Sequence, residues 1–397
     1  MIFDETSLYN IKSELYGTRY SLFELATWKN GIAFKKIDFS ETGRPVIKIA
    51  ELNNGINSNT AFTQGDYGEE VFVRRDDLLF SWSGNPQTSI DVFRYRLQDG
   101  WLNQHIFKVS ANESLVNKDY LYYILKFLKP HFTQIATNKQ TTGLGHVTIA
   151  DLKRMSLVVP AKEVQERIVS VLKAVDDKIE VNSNINENLQ QQAAALFSSL
   201  YDRSNTEVRF TDLIQILGGG TPKTGENTYW NGNIAFFTPK DVSMPYTLIT
   251  EKTITEEGLS HCNSRLYPVN TVLVTARGTV GKVGMSGIPM AMNQSCYALV
   301  GKETHQLLVY FYTLKAVDRL KHKASGAVFD AITTRDFESE QIMKLSADDA
   351  KAFLCIAEPM FQKVLNNCIE NLRLSRLRDS LLPKLMSGEI DASAVQL

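Results

Sequence analysis

Two glycine-rich stretches, GGGTPKTG at 218–225 and GTVGKVG at 278–284, have the composition of loops that cradle phosphate. A nucleotide-binding loop ends in Gly-Lys-Ser/Thr, because backbone amides and the lysine hold phosphate oxygens while the hydroxyl meets magnesium. Here Gly225 is followed by Glu226 and Asn227. Gly281-Lys282 is followed by Val283, and Ala276 stands where the first glycine of such a loop belongs. Gly278, Gly281 and Gly284 are spaced GxxGxxG, which is not the dinucleotide-binding spacing. These residues are read as turn glycines.

The remaining chemistry is equally sparse. Asn85-Pro86-Gln87 has a faint likeness to the Asn-Pro-Pro-aromatic site of amino-methyltransferases, but the second proline and the aromatic are missing. The six histidines show no metal spacing, and Cys262, Cys296, Cys355 and Cys368 form no CxxC pair. The thiols are expected to be reduced and mostly buried. Asp76-Asp77 is expected to end a strand at the surface. No catalytic residue, no metal site and no cofactor of this chain's own is predicted.

What remains suits recognition. Arginine and lysine meet phosphates and guanine edges, and asparagine and glutamine meet adenine edges. In the first half the candidate DNA-binding residues are Arg74, Arg75, Ser81, Trp82, Ser83, Asn85, Gln87, Thr88, Arg94, Gln140, Thr141, Thr142 and His146. In the second half they are Thr221, Lys223, Thr224, Tyr229, Lys240, Arg277, Thr279, Lys282, Lys321 and Lys323. Bulk charge does not single out nucleic acid. The chain carries a net −1, and residues 20–150 and 207–346 each hold 14 basic and 13 acidic residues.

The elements that position these residues occur twice. LNQHIF at 102–107 matches MNQSCY at 292–297, LLFSWSG at 78–84 matches VLVTARG at 272–278, and VTIADL at 147–152 matches ITTRDF at 332–337. The order is preserved, at offsets of 185 to 194 residues. A tandem duplication of domain size follows. Each copy opens with short apolar runs broken by Gly, Asn and Asp, which predict strands and turns. Examples are RPVIKIAEL at 44–52 and GNIAFFTPKDV at 232–242. Single helices are predicted over 119–132 and 305–320. Each copy closes on a long helix, near 161–202 and 347–385. In the first helix the apolar 3–4 rhythm runs through Asn182, Ile185, Leu189, Ala193, Leu196 and Leu200. Ser346 and Asp349 form a capping box for the second helix, and Pro359 should bend it or mark its start. Two narrow stripes on helices of this length predict a coiled-coil pair.

Over nearly its whole length the chain resembles the specificity subunit of type I restriction–modification systems. The resemblance rests on the tail LRDSLLPKLMSGEIDA at 377–392, on VVPAKEVQERIVSVLKAVDDKIEVN at 158–182, and on the two Asn-Gln steps. It implies an α/β (α+β) chain with two tandem target-recognition domains separated by two long antiparallel coiled-coil helices. The implied boundaries are 1–158 and 204–345 for the domains, and 159–203 and 346–397 for the helices. Each domain would read one half of a bipartite double-stranded DNA target. Two methyltransferase subunits and the restriction subunits would be the partners. S-adenosylmethionine, ATP and Mg2+ would sit on those partners, and the setting would be cytoplasmic. A methyltransferase–specificity fusion and a coiled-coil protein scaffold remain as alternatives. The Asn-Gln steps could touch bases or cap strands.

Overall fold

A computed structural model describes residues 5–140, 143–323 and 331–395. The chain divides into two compact units, residues 1–177 with 374–397, and residues 178–373.

In the first unit a four-stranded antiparallel sheet runs in the order Ala26–Asn30, Ile106–Ala111, Leu78–Ser81, Asp91–Arg94. All four residues of Leu78–Ser81 are buried, because the sheet is covered on both faces. Alternation decides the faces. Leu78 and Phe80 meet the helical layer around Tyr120 and Phe132, while Leu79 meets Trp101 and Val73 of a second sheet. That second sheet runs Phe62–Thr63, Arg44–Ile47, Gly100–Leu102, Phe72–Val73.

The second unit repeats this plan. Ile214–Gly218, Cys296–Gly301, Val272–Thr275 and Val283–Ser286 lie side by side in a five-stranded sheet. Val272 and Val274 face one core and Leu273 the other. The registers coincide. Val109 opposes Trp28 and Leu78 in the first unit, and Leu299 opposes Ile216 and Val272 in the second. The parallel pairing of Val46 with Trp101 recurs as Phe236 with Ala291. A one-residue slip would turn every core side chain outward, so shared register is strong evidence for the duplication.

Some predicted elements differ in detail. RPVIKIAEL is a strand only to Ile47 and a helix from Ile49 to Asn54, capped by the Glu51 carboxylate on the Lys48 amide. The helix predicted over 119–132 is two helices, Lys118–Phe127 and Lys129–Asn138, because Pro130 lacks the amide to continue the first. The second copy has no such proline and keeps one helix, Gln306–Lys323.

The two long helices span Lys162–Asp202 and Ala347–Ser387. Ser346 caps the second, its hydroxyl accepting from the Asp349 amide at 3.1 Å. That helix starts well before Pro359 and runs through it; both Pro359 and Pro383 occupy exposed positions, where water can meet the freed carbonyls. Within the second unit, residues 178–202 pair antiparallel with 347–373. Phe197 meets Phe353, Asn186 meets Asn367 at 2.8 Å, and Asn182 meets Asn371 at 2.9 Å. Asn182, Ala193 and Leu200 are buried in this seam as expected, but two positions are shifted by one residue. Asn186, not Ile185, is buried, and Phe197 rather than Leu196 fills the apolar end. In the first unit, residues 162–177 meet 374–387 through Ile168, Leu172, Leu382 and Leu385, with Arg378 on Asp176 at 2.9 Å.

The cysteines are all free, but only Cys296 is buried, where its thiol is pushed up to about 12; Cys355 is exposed. No helix among the described residues is long and apolar enough to cross a membrane.

Burial holds the His131 imidazole down at about 4, against an ordinary value near 6.5. The unfolded chain therefore takes up this proton first as pH falls. The histidine's contribution is complete above pH 6.5 and is lost between 6.5 and 4, by up to about 3 kcal/mol. His131→Leu should flatten the dependence of the first unit's unfolding free energy on pH across that window. An unchanged slope would contradict the assignment.

Candidate nucleic-acid interface

The residue just past each central strand is clamped in the same way. The Trp82 amide donates to the His105 carbonyl at 3.3 Å, and the Val147 amide donates to the Trp82 carbonyl at 2.8 Å. In the second unit the Ala276 amide donates to Ser295 at 2.8 Å, and the Ile332 amide to Ala276 at 2.9 Å. A further loop joins the end of the central strand in the sheet-bearing part, or head, of each unit. A β-carbon on Gly31 would lie 2.2 Å from the Asn103 carbonyl oxygen, and one on Gly219 would lie 2.2 Å from that of Asn293. Only glycine permits that approach. The loop end of the first head is thus built from 31–40, 82–90, 103–105 and 143–147, and that of the second from 219–229, 276–282 and 293–295.

The Asn-Gln steps belong to this framework. The Asn103 and Asn293 amides donate to Ile47 and Phe237, both at 3.0 Å. The Asn293 side chain accepts from the Ser295 amide at 3.0 Å, and Gln294 accepts from the Thr221 hydroxyl. Each step turns the chain from one sheet into the other.

In the first head the candidates separate into two groups. Arg74, Arg75 and Arg94 lie toward the start of Leu78–Ser81, away from the loops that follow its end. Arg74 makes a two-pronged pair with Glu69 at 2.8 and 2.9 Å and lies over the Phe72 ring. Arg75 reaches the Arg96 carbonyl at 3.4 Å, and Arg96 pairs with Asp76. Arg94 is largely covered, pairing with Asp119 at 2.7 Å and lying over Tyr122. These arginines hold the fold's own surface together.

At the loop end, Ser81 is fully buried. The Trp82 indole donates to Asn30 at 2.9 Å and stacks on Phe107. Ser83 and His146 share a hydrogen bond of 2.9 Å. The Asn85 side chain accepts from the Gln87 and Thr88 amides, shaping the turn. Gln87, Thr88 and Gln140 are exposed. Thr141 and Thr142 lie outside the described residues.

The second head differs in electrostatics. Lys240, Arg277, Lys282 and Lys321 are exposed and carry no ion pair among the described residues. They gather around one loop. The Thr279 hydroxyl donates to the Pro239 carbonyl at 3.1 Å, bringing Lys240 beside it. A β-carbon on Gly281 would sit 2.6 Å from Lys321 Cε. Gly278 and Gly281 have φ of +83° and +75°, the conformation expected of turn glycines. Unpaired cations held close together attract an anionic ligand, an effect weakened by salt. Lys223 and Thr224 are also exposed. Tyr229 stacks on His261 at 5.0 Å. Lys323 instead pairs at 2.6 Å with the Glu340 carboxylate, whose side chain is 1% exposed.

The candidates chosen by residue type omitted Lys35 and Lys36, exposed on the first head's 31–40 loop. The signal was present, since NGIAFKK at 30–36 aligns with GGGTPKT at 218–224, and Lys35 falls on Lys223.

The family model for the type I restriction modification DNA specificity domain matches residues 18–191 and 203–344. The specificity subunit of the type I restriction enzyme HindI from Haemophilus influenzae is 23% identical, over 80% of this chain and 87% of its own. The putative MjaX specificity subunit from Methanocaldococcus jannaschii is 21% identical over 91% of this chain and 90% of its own. A crystal structure of a type I restriction–modification S subunit from M. genitalium shares the fold, with a TM-score of 0.55 at 15% identity over 95% of this chain and 97% of that one.

Proposed function

From the chain's membership of the type I restriction–modification DNA specificity family, with two copies of the domain, we propose that it reads a bipartite double-stranded DNA target, one half with each head. The long helices set the gap between the half-sites and dock two methyltransferase subunits, which restriction subunits join. Methylation and cleavage take place on those partners, with S-adenosylmethionine, ATP and Mg2+, and this chain is not a catalyst. The complex works in the cytoplasm. The observation that carries this reading is the in-register duplication, which presents an equivalent set of loops twice. A target with two halves calls for two readers of one design.

In the second head the reading surface is the loop carrying Arg277 and Lys282, flanked by Lys240, Lys321 and Lys223. In the first it is the exposed Gln87, Thr88 and Gln140, with the lysines of 31–40. Neither head is strongly basic, so partner subunits supply much of the phosphate contact.

Arg277 is the first residue to test. Arg277→Ala in the assembled complex should relax the target at one position of one half-site, by about 1–3 kcal/mol. A uniform loss of affinity across all sequences, with a reduced salt slope, would show a phosphate contact instead. Incubating the chain alone with labelled S-adenosylmethionine and DNA should transfer no methyl group; transfer would favour a fused methyltransferase.

A further inference from the structure

Ile37 is 88% exposed, one of the two most exposed large apolar residues among those described. Its exposure does not come from a loose loop. On one side Phe34 packs edge-on against Tyr67, with ring centroids 4.9 Å apart. On the other, Phe39 lies under the Lys48 ammonium at 5.4 Å. Between these anchors the chain makes a single tight turn, Lys36–Asp38. The Asp38 carboxylate accepts from the Lys35 amide at 2.6 Å, and the Asp38 amide donates to the Lys35 carbonyl at 2.9 Å. The turn thus holds Ile37 out in water, beside the exposed Lys35 and Lys36, neither of which has an ion pair among the described residues.

The turn belongs to the proposed reading end. The Gly31 amide donates to Ile106 at 3.0 Å, and the Ile32 amide to Leu102 at 3.0 Å. Lys48, which covers Phe39, precedes Ile49, whose Cδ1 would lie 3.9 Å from a β-carbon on Gly84. A branched apolar tip flanked by two cations fits a duplex better than water. Lysines so placed can meet phosphates on either side of a groove, while an apolar tip between them can enter between adjacent base pairs and loosen their stacking. The second head has no counterpart, since Gly225 stands at the position aligned with Ile37.

Resting on the reading that each head binds one half-site, we propose that Ile37 is a wedge that partly unstacks one base step in the half-site bound by the first head, with Lys35 and Lys36 on the adjoining phosphates. Sequence would then be read there partly through deformability, favouring a pyrimidine–purine step.

The test uses the chain assembled with its methyltransferase subunits on its selected target. 2-Aminopurine is placed at successive positions of each half-site, except the base to be methylated, which such enzymes flip out themselves. Binding should raise the fluorescence severalfold at one step of the first head's half-site and at no step of the other. Ile37→Ser should abolish that rise and weaken specific binding about 10-fold with an unchanged salt slope. Lys35→Ala and Lys36→Ala should each lower the slope of log affinity against log salt by about 1. An Ile37→Ser complex with wild-type fluorescence and affinity would overturn the wedge while leaving the two-headed reading intact. Loss of assembly with the methyltransferase subunits in the absence of DNA would overturn it too, by making Ile37 a protein contact. A wild-type complex that selects no sequence defeats the parent reading and is recognised before any variant is made.

Discussion

Replacing residues 207–346 with the matching segment of another family member will change one half of the recognised DNA sequence and leave the other half as it was. The exchanged piece begins and ends in one two-stranded ribbon, Thr206–Arg209 against Gln341–Lys344, so both cuts fall at the same place in the fold. Everything proposed to read DNA in that half lies inside the piece. At about 1–3 kcal/mol for each mismatched pair, the old half-site will bind the chimera weaker by orders of magnitude. The exchange carries one packing condition. Phe311 and Tyr312 of the exchanged piece meet Phe197 of the retained helix, with centroids 5.0 and 5.4 Å apart. A donor with large aromatics at both positions should give a folded chimera, and one with small residues there will need Phe197 changed as well. Selection of targets from random duplex by the chimeric complex reads the outcome. A change in both halves would mean that the heads do not read independently.

The largest loss of stability is expected from Phe197→Ala. This side chain is fully buried where the two long helices of the second unit meet its head. Its ring touches those of Phe311, Phe353, Tyr312 and Tyr201. Truncation removes apolar burial and leaves a cavity that four aromatic rings cannot close, at a cost of about 3–5 kcal/mol. Hydrogen exchange of the amides in 178–202 and 347–373 should rise by the corresponding factor, while residues 5–177 keep their protection. A loss below about 1 kcal/mol would mean that the helices are held by other contacts, and the Asn186–Asn367 layer would be the next to examine.

The duplication was legible because it is written in residue order, and order survives where similarity is weak. Asn103-Gln104 and Asn293-Gln294 stood out as polar steps before apolar strands, and both prove to be crossovers between the two sheets. The long helices were legible from their 3–4 rhythm and from the Ser346 cap. Their seam was less so. Period alone cannot say whether Asn186 or Ile185 faces the partner, because a buried asparagine is tolerated only when another, here Asn367, satisfies it. Pro359 misled because a proline on the exposed side of a packed helix loses little. The candidate interface was least legible. Residue type cannot distinguish Arg277, which has no ion pair among the described residues, from Arg74 and Arg94, whose charges are taken up by Glu69 and Asp119. Those partners are brought near by folding; Asp119 lies 25 positions from Arg94 in the chain.

One chain is proposed to read two half-sites. The most direct test is selection from random duplex DNA by the chain assembled with methyltransferase subunits, followed by sequencing of the bound pool. A single enriched pattern is expected, two short specified blocks separated by unspecified base pairs of constant number. One contiguous block, two blocks at variable separation, or no enrichment at all would contradict it.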